Sequence, residues 1–262
     1  MDRQTWLGTV LGQYLLAQEQ LLFDAAVTDI FGFNALQIGL SEVNLLSNSR
    51  IPTLLHADEC ASGLKCDVRC DSDALPFDAD SIDLVLLPHV LEFSDNPHQT
   101  LREVERILVH EGYVILTGFN PISAWGLRRL LTKNNVTNHD AVISNYPWQG
   151  QFFSQTRIKD WLALLGLEFV SVTSHCYTLP CNHAQWLNRL KLLDNIGSKC
   201  WPMLGGMYFV VAKKRVASMT LLKPNWKKSP IKTRLVASNS EKTECQKTDN
   251  LKKIKPHNEI EK

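Results

Sequence analysis

Hydrophobic and polar positions follow two different periods along the first 216 residues of the chain. Short, continuous apolar runs, of which the run from Ile82 to Leu87 is the clearest, have the length and composition of strands buried on both faces. Between such runs, apolar residues recur three or four positions apart, as at Leu101, Val104 and Leu108, which is the spacing of one helical face. This order predicts a parallel sheet with right-handed crossover helices.

The same periods predict the remaining elements. One or two helices lie between Trp6 and Ile30, with Gln18, Glu19, Gln20 and Asp24 on the water side. Further helices are expected at 97–108, 122–131, 156–165 and in the segment that follows Leu179, and the second of these should turn Arg128 and Arg129 outward. Strands are expected at 34–39, 50–56, 64–73, 82–87, 113–117, 168–172 and 207–212.

The stretch from Cys70 to Asn120 has a distinctive order of motifs. It contains LPF, an Asp-rich turn, SIDLVLL, HVLEF, LREVERIL, EGYVIL and FNP. In this order the motifs resemble the central block of class I S-adenosylmethionine-dependent methyltransferases of the type 11 group, above all proteobacterial members that share GFNPIS. The resemblance extends from about Gly32 to Val211. It implies a doubly wound, seven-stranded α/β sheet of the Rossmann-like methyltransferase type, with an antiparallel closing strand.

The resemblance also implies a function. S-adenosyl-L-methionine would be the cofactor, and its sulfonium methyl group would pass to an O, N or C acceptor that the sequence does not identify. A rival hypothesis is a non-catalytic protein that keeps the fold and serves as a scaffold or binding module. A third is a site for another ligand that contains adenosine.

The first strand and its turn depart from the family pattern. The family has an acid there, followed by three closely spaced glycines, which let the backbone approach the cofactor. Here Gln37 stands in the acid position and only Gly39 remains, followed by Leu40, Ser41 and Glu42. Gln37 can accept a hydrogen bond from a ligand ammonium but offers no charge, and Glu42 brings an anion near a ligand carboxylate. Weakened cofactor binding is therefore expected.

Other candidate cofactor contacts come at strand ends. Asp58 lies 19 residues after Gly39, where these folds have an acid for the ribose hydroxyls, but a solvated loop acid is the simpler interpretation. By resemblance, Asp71 matches the acid that accepts from the adenine amino group, and the backbone amide of Ser72 meets the ring. Leu87 ends the fourth strand at the edge where open α/β sheets bind their ligands.

His89 follows that strand and is the one titratable side chain of the strand exit able to act as a general base near neutral pH. Packing within HVLEF is the alternative role. Between Thr132 and Ser154, the periodicity fades and four aromatic residues appear: Tyr146, Trp148, Phe152 and Phe153. They could form a substrate lid or hold down a surface loop.

The helical periodicity, the family resemblance and the distribution of charge together divide the chain into three parts: an N-terminal helical cap (1–31), the methyltransferase-like domain (32–216) that the resemblance implies, and a basic tail (217–262). The tail carries eleven Lys and Arg against five Asp and Glu, which leaves the preceding 216 residues at a net charge of −5. Low hydrophobicity predicts disorder in the tail. Its Trp226 and neighbouring lysines could contact nucleic acid, but a solubilising tail is the simpler hypothesis.

Three negative expectations complete the sequence picture. The seven cysteines contain no CxxC pair and no complete set of metal ligands, so reduced structural thiols are expected and no metal. No apolar run approaches the roughly 18 residues of a membrane span, and no signal peptide is indicated. These features predict a cytoplasmic protein with no membrane partner.

Overall fold

The computed structural model describes residues 3–59, 66–134, 146–180, 201 and 203–215. The helices in these ranges are α1 (Arg3–Leu7), α2 (Val10–Val27), α3 (Pro97–Ile107), α4 (Ala124–Asn134) and α5 (Gln155–Leu164). The strands are β1 (Asn34–Ile38), β2 (Thr53–Asp58), β3 (Val68–Arg69), β4 (Ile82–Pro88), β5 (Leu108–Phe119), β6 (Leu167–His175) and β7 (Met207–Lys214). The helix predicted after Leu179 and the tail lie almost wholly outside the described residues, as do residues 135–145 of the predicted aromatic loop.

The strands form one seven-stranded sheet in the order β3-β2-β1-β4-β5-β7-β6. From β3 to β5 all neighbours are parallel, whereas β7 runs antiparallel to both β5 and β6. The predicted doubly wound sheet with an antiparallel closing strand is therefore confirmed. Its strand order reverses between β1 and β4, and in open α/β sheets the crevice outside such a reversal is where ligands bind.

Strand β4 shows how the apolar pattern builds the core. Its side chains alternate between two hydrophobic clusters, with Leu84 and Leu86 in one and Val85 and Leu87 in the other. All four are fully buried. Because successive side chains of a strand point to opposite faces, a continuous apolar run requires cover on both sides, which the helices supply.

Helix α2 is the main element of the N-terminal segment that packs on the sheet. The Thr9 side chain accepts a hydrogen bond from the Gly12 amide (3.1 Å) and caps its N-terminus. The buried positions recur every four residues, at Leu11, Leu15, Glu19, Phe23 and Val27. Glu19 is thus on the core side, and its predicted place on the water side was wrong.

Helix α4 is also rotated relative to the prediction. The guanidinium of Arg128 lies 4.9 Å from the ring centre of Trp148, and that of Arg129 lies 5.1 Å from the ring centre of Phe152. Both arginines therefore face the 146–153 segment instead of pointing away from it. Cation–π contacts and packing of the arginine stems stabilise this arrangement.

Strand β3 is shorter than predicted, with only Val68 and Arg69 paired to β2. It forms an edge of the sheet. No helix among the described residues is long and apolar enough to cross a membrane.

Close packing between β5 and β7 leads to a stability prediction. Gly118 pairs with Tyr208, and a Cβ at Gly118 would stand 2.3 Å from the Tyr208 hydroxyl oxygen. Tyr208 is fully buried and has no room to move away. Gly118→Ala should therefore lower the free energy of unfolding by about 1–3 kcal/mol, measured by denaturant titration. In the control Gly8→Ala, the new Cβ would be 3.4 Å from its nearest neighbour and should cost much less. Equal effects would contradict this account of the β5–β7 contact.

Candidate functional site

A cavity of about 330 Å³ opens at the carboxyl edge of the sheet, beside the reversal between β1 and β4. Its size falls in the range of small-molecule sites. Strand ends and the turns that follow them provide most of its wall, and α1 and the 146–149 segment provide the rest. The wall includes Arg3, Gly39, Glu42, Asp58, Cys70, Ser72, Pro88, His89, Val90, Phe93 and Tyr146.

The turn after β1 is held by the Gln37 side chain. Its Nε2 donates to the carbonyls of Leu40 (3.1 Å) and Val43 (2.8 Å), and its Oε1 accepts from the Leu45 amide (2.9 Å). Gln37 is fully buried and is not part of the cavity wall. It therefore organises the turn, and the predicted contact between Gln37 and the cofactor does not fit this geometry.

Gly39 remains in the wall of the cavity as predicted. Its backbone has φ of +73°, a conformation that glycine adopts without steric cost, and Leu40 follows at +50°. A Cβ on Gly39 would stand 3.1 Å from Cγ2 of Val90. The surviving glycine is thus at the position where a side chain would crowd the cavity.

Asp58, at the end of β2, is buried and lines the cavity. Its Oδ2 accepts from the Ser41 hydroxyl (2.8 Å) and from the Arg3 guanidinium (2.8 Å). Burial alone would raise the pKa of Asp58, but the Ser41 hydrogen bond and the Arg3 charge outweigh burial and lower it. Asp58 is an ionised acceptor at neutral pH, which is the state that would hold two ribose hydroxyls.

Three other predicted positions differ in their exposure. Ser72 lines the cavity, and its hydroxyl is 3.3 Å from that of Thr100. Asp71 is exposed and lies next to the wall residues Cys70 and Ser72 without being a wall residue itself. Leu87 is fully buried in the core, so it packs inside the sheet and is not a residue of the cavity wall.

His89 lies between two carboxylates. Its Nδ1 is 2.8 Å from Oε2 of Glu92, and its Nε2 is 2.7 Å from Oε1 of Glu19, outside the direction of a good hydrogen bond. Glu19 and Glu92 also accept from the Thr117 hydroxyl (3.0 Å) and from the Phe119 amide, respectively. This buried His89–Glu19–Glu92 cluster joins α2 to the ends of β4 and β5.

The surroundings of His89 do not suit the predicted general base. Burial would lower its pKa, but the charges of Glu19 and Glu92 outweigh burial and raise the pKa to about 10. The imidazole is therefore protonated near neutral pH and has no lone pair with which to accept a proton. Its backbone φ of +53° marks a constrained position, consistent with a residue that fixes the strand exit.

The predicted aromatic segment contributes one ring to the cavity. Tyr146 stacks on Phe93, with ring centres 4.8 Å apart, and meets the edge of Trp6 at 5.4 Å. Burial, followed by the charges of Glu92 and Glu19, raises the Tyr146 pKa, so the hydroxyl is neutral. Trp148, Phe152 and Phe153 pack instead on Trp125, Phe119 and Trp161. Those three rings fasten the segment to the domain.

Comparisons with known proteins agree with this architecture. A family model described as "Methyltransferase domain" matches residues 49–116. The uncharacterized protein YafS of Escherichia coli is 33% identical over 196 residues, which cover 74% of this chain and 73% of YafS. The chain belongs to the same family as YafS, and its residues 49–116 carry the methyltransferase domain.

Solved structures share the methyltransferase fold at low sequence identity. One is a possible histamine N-methyltransferase from Thermotoga maritima, with a TM-score of 0.55, 16% identity, and coverage of 77% of this chain and 93% of that one. Another is a methyltransferase from Archaeoglobus fulgidus, with a TM-score of 0.51, 17% identity, and coverage of 77% and 99%. These likenesses support the fold of this methyltransferase domain.

Some site residues were not predicted. Arg3 precedes the first periodic segment, and no motif or spacing in the sequence marks it as a site residue. Glu19 did have a signal, because it continues the four-residue spacing of the buried positions in α2. A charged residue within an apolar stripe must be paired when it is buried, and that requirement points to a partner such as His89.

The cluster predicts a specific pH dependence for this methyltransferase domain. His89→Gln leaves Glu19 and Glu92 buried without their cation and should lower stability by about 3–5 kcal/mol at pH 6. Because the folded-state pKa is raised from 6.5 to about 10, the stabilisation by protonated His89 is complete below pH 6.5. It declines as pH rises through about 10, so the difference between wild type and variant should shrink over that interval.

Denaturant unfolding at a series of pH values measures this difference. His110→Gln, at an exposed position, is the control and should show no comparable trend. A difference for His89→Gln that is constant or grows with pH would show that His89 is not held as the cation.

Proposed function

We propose that this chain binds S-adenosylmethionine in the cavity beside β1 and β4 and is an enzyme that methylates an acceptor not yet identified. The observation that carries the proposal is the convergence of Gly39, Asp58 and Ser72, which follow or end three different strands, on one cavity at the strand-order reversal. The resemblance-based positions from β1, β2 and β3 thus share one wall.

The residues present fit this cofactor. Gly39 keeps the first turn free of a side chain that would crowd the cavity, and Asp58 is an ionised acceptor suited to a ribose diol. Ser72 lies where a backbone amide could meet the adenine ring, and the Phe93–Tyr146 pair supplies an apolar wall. When bound, the cofactor supplies an electrophilic methyl group.

The chemistry needs no general base from His89. Alignment of a nucleophile with the methyl donor provides most of the acceleration in such a displacement, up to about 7–11 kcal/mol in favourable intramolecular cases. The protein's contributions would be to orient the acceptor and exclude water. Phe93 and Tyr146 fit the second task.

A specific observation supports the rival non-catalytic hypothesis. The side-chain amide of Gln37 donates its hydrogen bonds within the turn, and Arg3 contacts Asp58, the acid proposed for the ribose. A cofactor would have to compete with Arg3 for that carboxylate. The two hypotheses differ in whether the cofactor binds at all.

Calorimetric titration with S-adenosylmethionine, S-adenosylhomocysteine and adenosine decides between them. We expect saturable binding of the first two ligands at micromolar concentrations, because both carry the ribose and the amino-acid end. No heat at millimolar ligand would reject the cofactor site and leave the scaffold hypothesis. Binding of adenosine alone would indicate a repurposed nucleoside site.

The predicted contact between Asp71 and the adenine amino group has its own test. Asp71→Ala should weaken binding of S-adenosylhomocysteine by about 1–3 kcal/mol through loss of a charged hydrogen-bond partner. Asp78→Ala changes another exposed aspartate, which is not a residue of the cavity wall, and should leave binding unchanged. Unchanged affinity in Asp71→Ala would remove this residue from the site.

A further inference from the structure

The acidic group that the family places near the end of its first strand is missing from its usual position. Gln37 replaces it, and both ends of the Gln37 amide bond to the turn. Because Gln37 is fully buried and outside the cavity wall, a ligand ammonium could reach it only by opening the turn and breaking these hydrogen bonds, each of which is costly to lose. A ligand with an amino-acid end must therefore find its ionic partners elsewhere in the cavity.

Glu42 is the acid best placed to replace it. It lines the cavity five residues beyond Gln37, and its side chain is only 16% exposed. One carboxylate oxygen, Oε1, lies 3.1 Å from the Arg3 guanidinium. The other, Oε2, is buried and has no hydrogen-bond partner among the described residues. A buried acceptor without a partner costs free energy unless a ligand satisfies it.

Arg3 is the matching cation. It lines the same cavity and bridges Glu42 and Asp58, at 3.1 and 2.8 Å. Burial would lower the pKa of Arg3, but the two carboxylates outweigh burial and raise it, so the guanidinium remains charged. An arginine can hold a ligand carboxylate through two parallel hydrogen bonds.

We infer that Glu42 and Arg3 form a relocated subsite for the amino-acid end of the cofactor, an inference that rests on the proposed function. The Glu42 carboxylate accepts from the ligand ammonium, and Arg3 donates to the ligand carboxylate. Arg3 then leaves Asp58 to the ribose hydroxyls. In the free protein, Arg3 thus pairs with the same two carboxylates, those of Glu42 and Asp58, that the ligand would contact.

The charge of this subsite favours a ligand of one kind. Glu42, Asp58 and Arg3 together carry a net charge of −1 at neutral pH, which complements a zwitterionic amino acid joined to a sulfonium cation. A polyphosphate nucleotide would place its negative charges against both carboxylates. The subsite therefore selects for an amino-acid-bearing nucleoside.

Paired titrations isolate this subsite from the rest of the cavity. S-adenosylhomocysteine contains the amino-acid end, whereas methylthioadenosine has the same nucleoside without it. Glu42→Gln should weaken S-adenosylhomocysteine binding by about 10- to 100-fold, through loss of a charged hydrogen bond, and leave methylthioadenosine within about twofold. Asp58→Asn is the control and should weaken both ligands.

Arg3→Met provides a second variant with a different signature. It should weaken S-adenosylhomocysteine but not methylthioadenosine, because loss of Arg3 also removes the competitor for Asp58. Thermal unfolding of each variant verifies that the domain is folded. A merely structural role for either residue would weaken both ligands together.

The outcomes separate this inference from the proposed function. Wild-type protein that binds S-adenosylhomocysteine, with Glu42→Gln affecting both ligands equally or neither, overturns the relocated subsite and leaves the cofactor site standing. Wild-type protein that binds neither ligand overturns the proposed function and the subsite with it. Selective loss of the amino-acid-bearing ligand in both variants establishes the subsite.

Discussion

The hydrogen bonds of Gln37 are the constraint on which the arrangement of the candidate site depends. A buried side-chain amide closes the turn after β1 by donating to two carbonyls and accepting from an amide. A carboxylate in the same place could accept from Leu45 but could not donate to Leu40 or Val43. The change from acid to amide therefore stabilises a turn that has lost most of its glycines, and it transfers any ionic contact with a ligand to Glu42 and Arg3.

A second buried polar group fixes the other side of the cavity. Protonated His89 between Glu19 and Glu92 connects the N-terminal helix to the ends of the two central strands. Buried charges of this kind are tolerated only when they are paired, and the pairing here specifies how α2 lies on the sheet.

The strands, the crossover helices and the two-faced core could be predicted from the hydrophobic period, whereas the doubly wound sheet with its antiparallel closing strand was implied by the family resemblance. The run in β4 and the apolar stripe of α3 each match one regular period, and the motifs between them follow the family order. Helix orientation was predicted less well: Glu19 and Arg129 were assigned to water on polarity alone, although a buried carboxylate and a ring-stacked guanidinium are stable when partners are present. Those partners lie far away in the sequence, so no local pattern reveals them.

For the site residues, too, position could be predicted better than side-chain contacts. Asp58 and Ser72 line the cavity because each lies at or just beyond a strand end, where topology determines position, and their contacts with a cofactor stay predictions. The hydrogen bonds of Gln37 and His89 were not predicted, because no periodic pattern shows which backbone groups of the following turn meet Gln37, or that Glu19 on a distant helix faces His89. A crystal structure with bound S-adenosylhomocysteine is the decisive measurement. The ligand ammonium should lie about 3 Å from the Glu42 carboxylate, and the ligand carboxylate should contact the Arg3 guanidinium. An amino-acid end bound at Gln37, or a ligand bound away from the β1–β4 edge, would contradict this assignment.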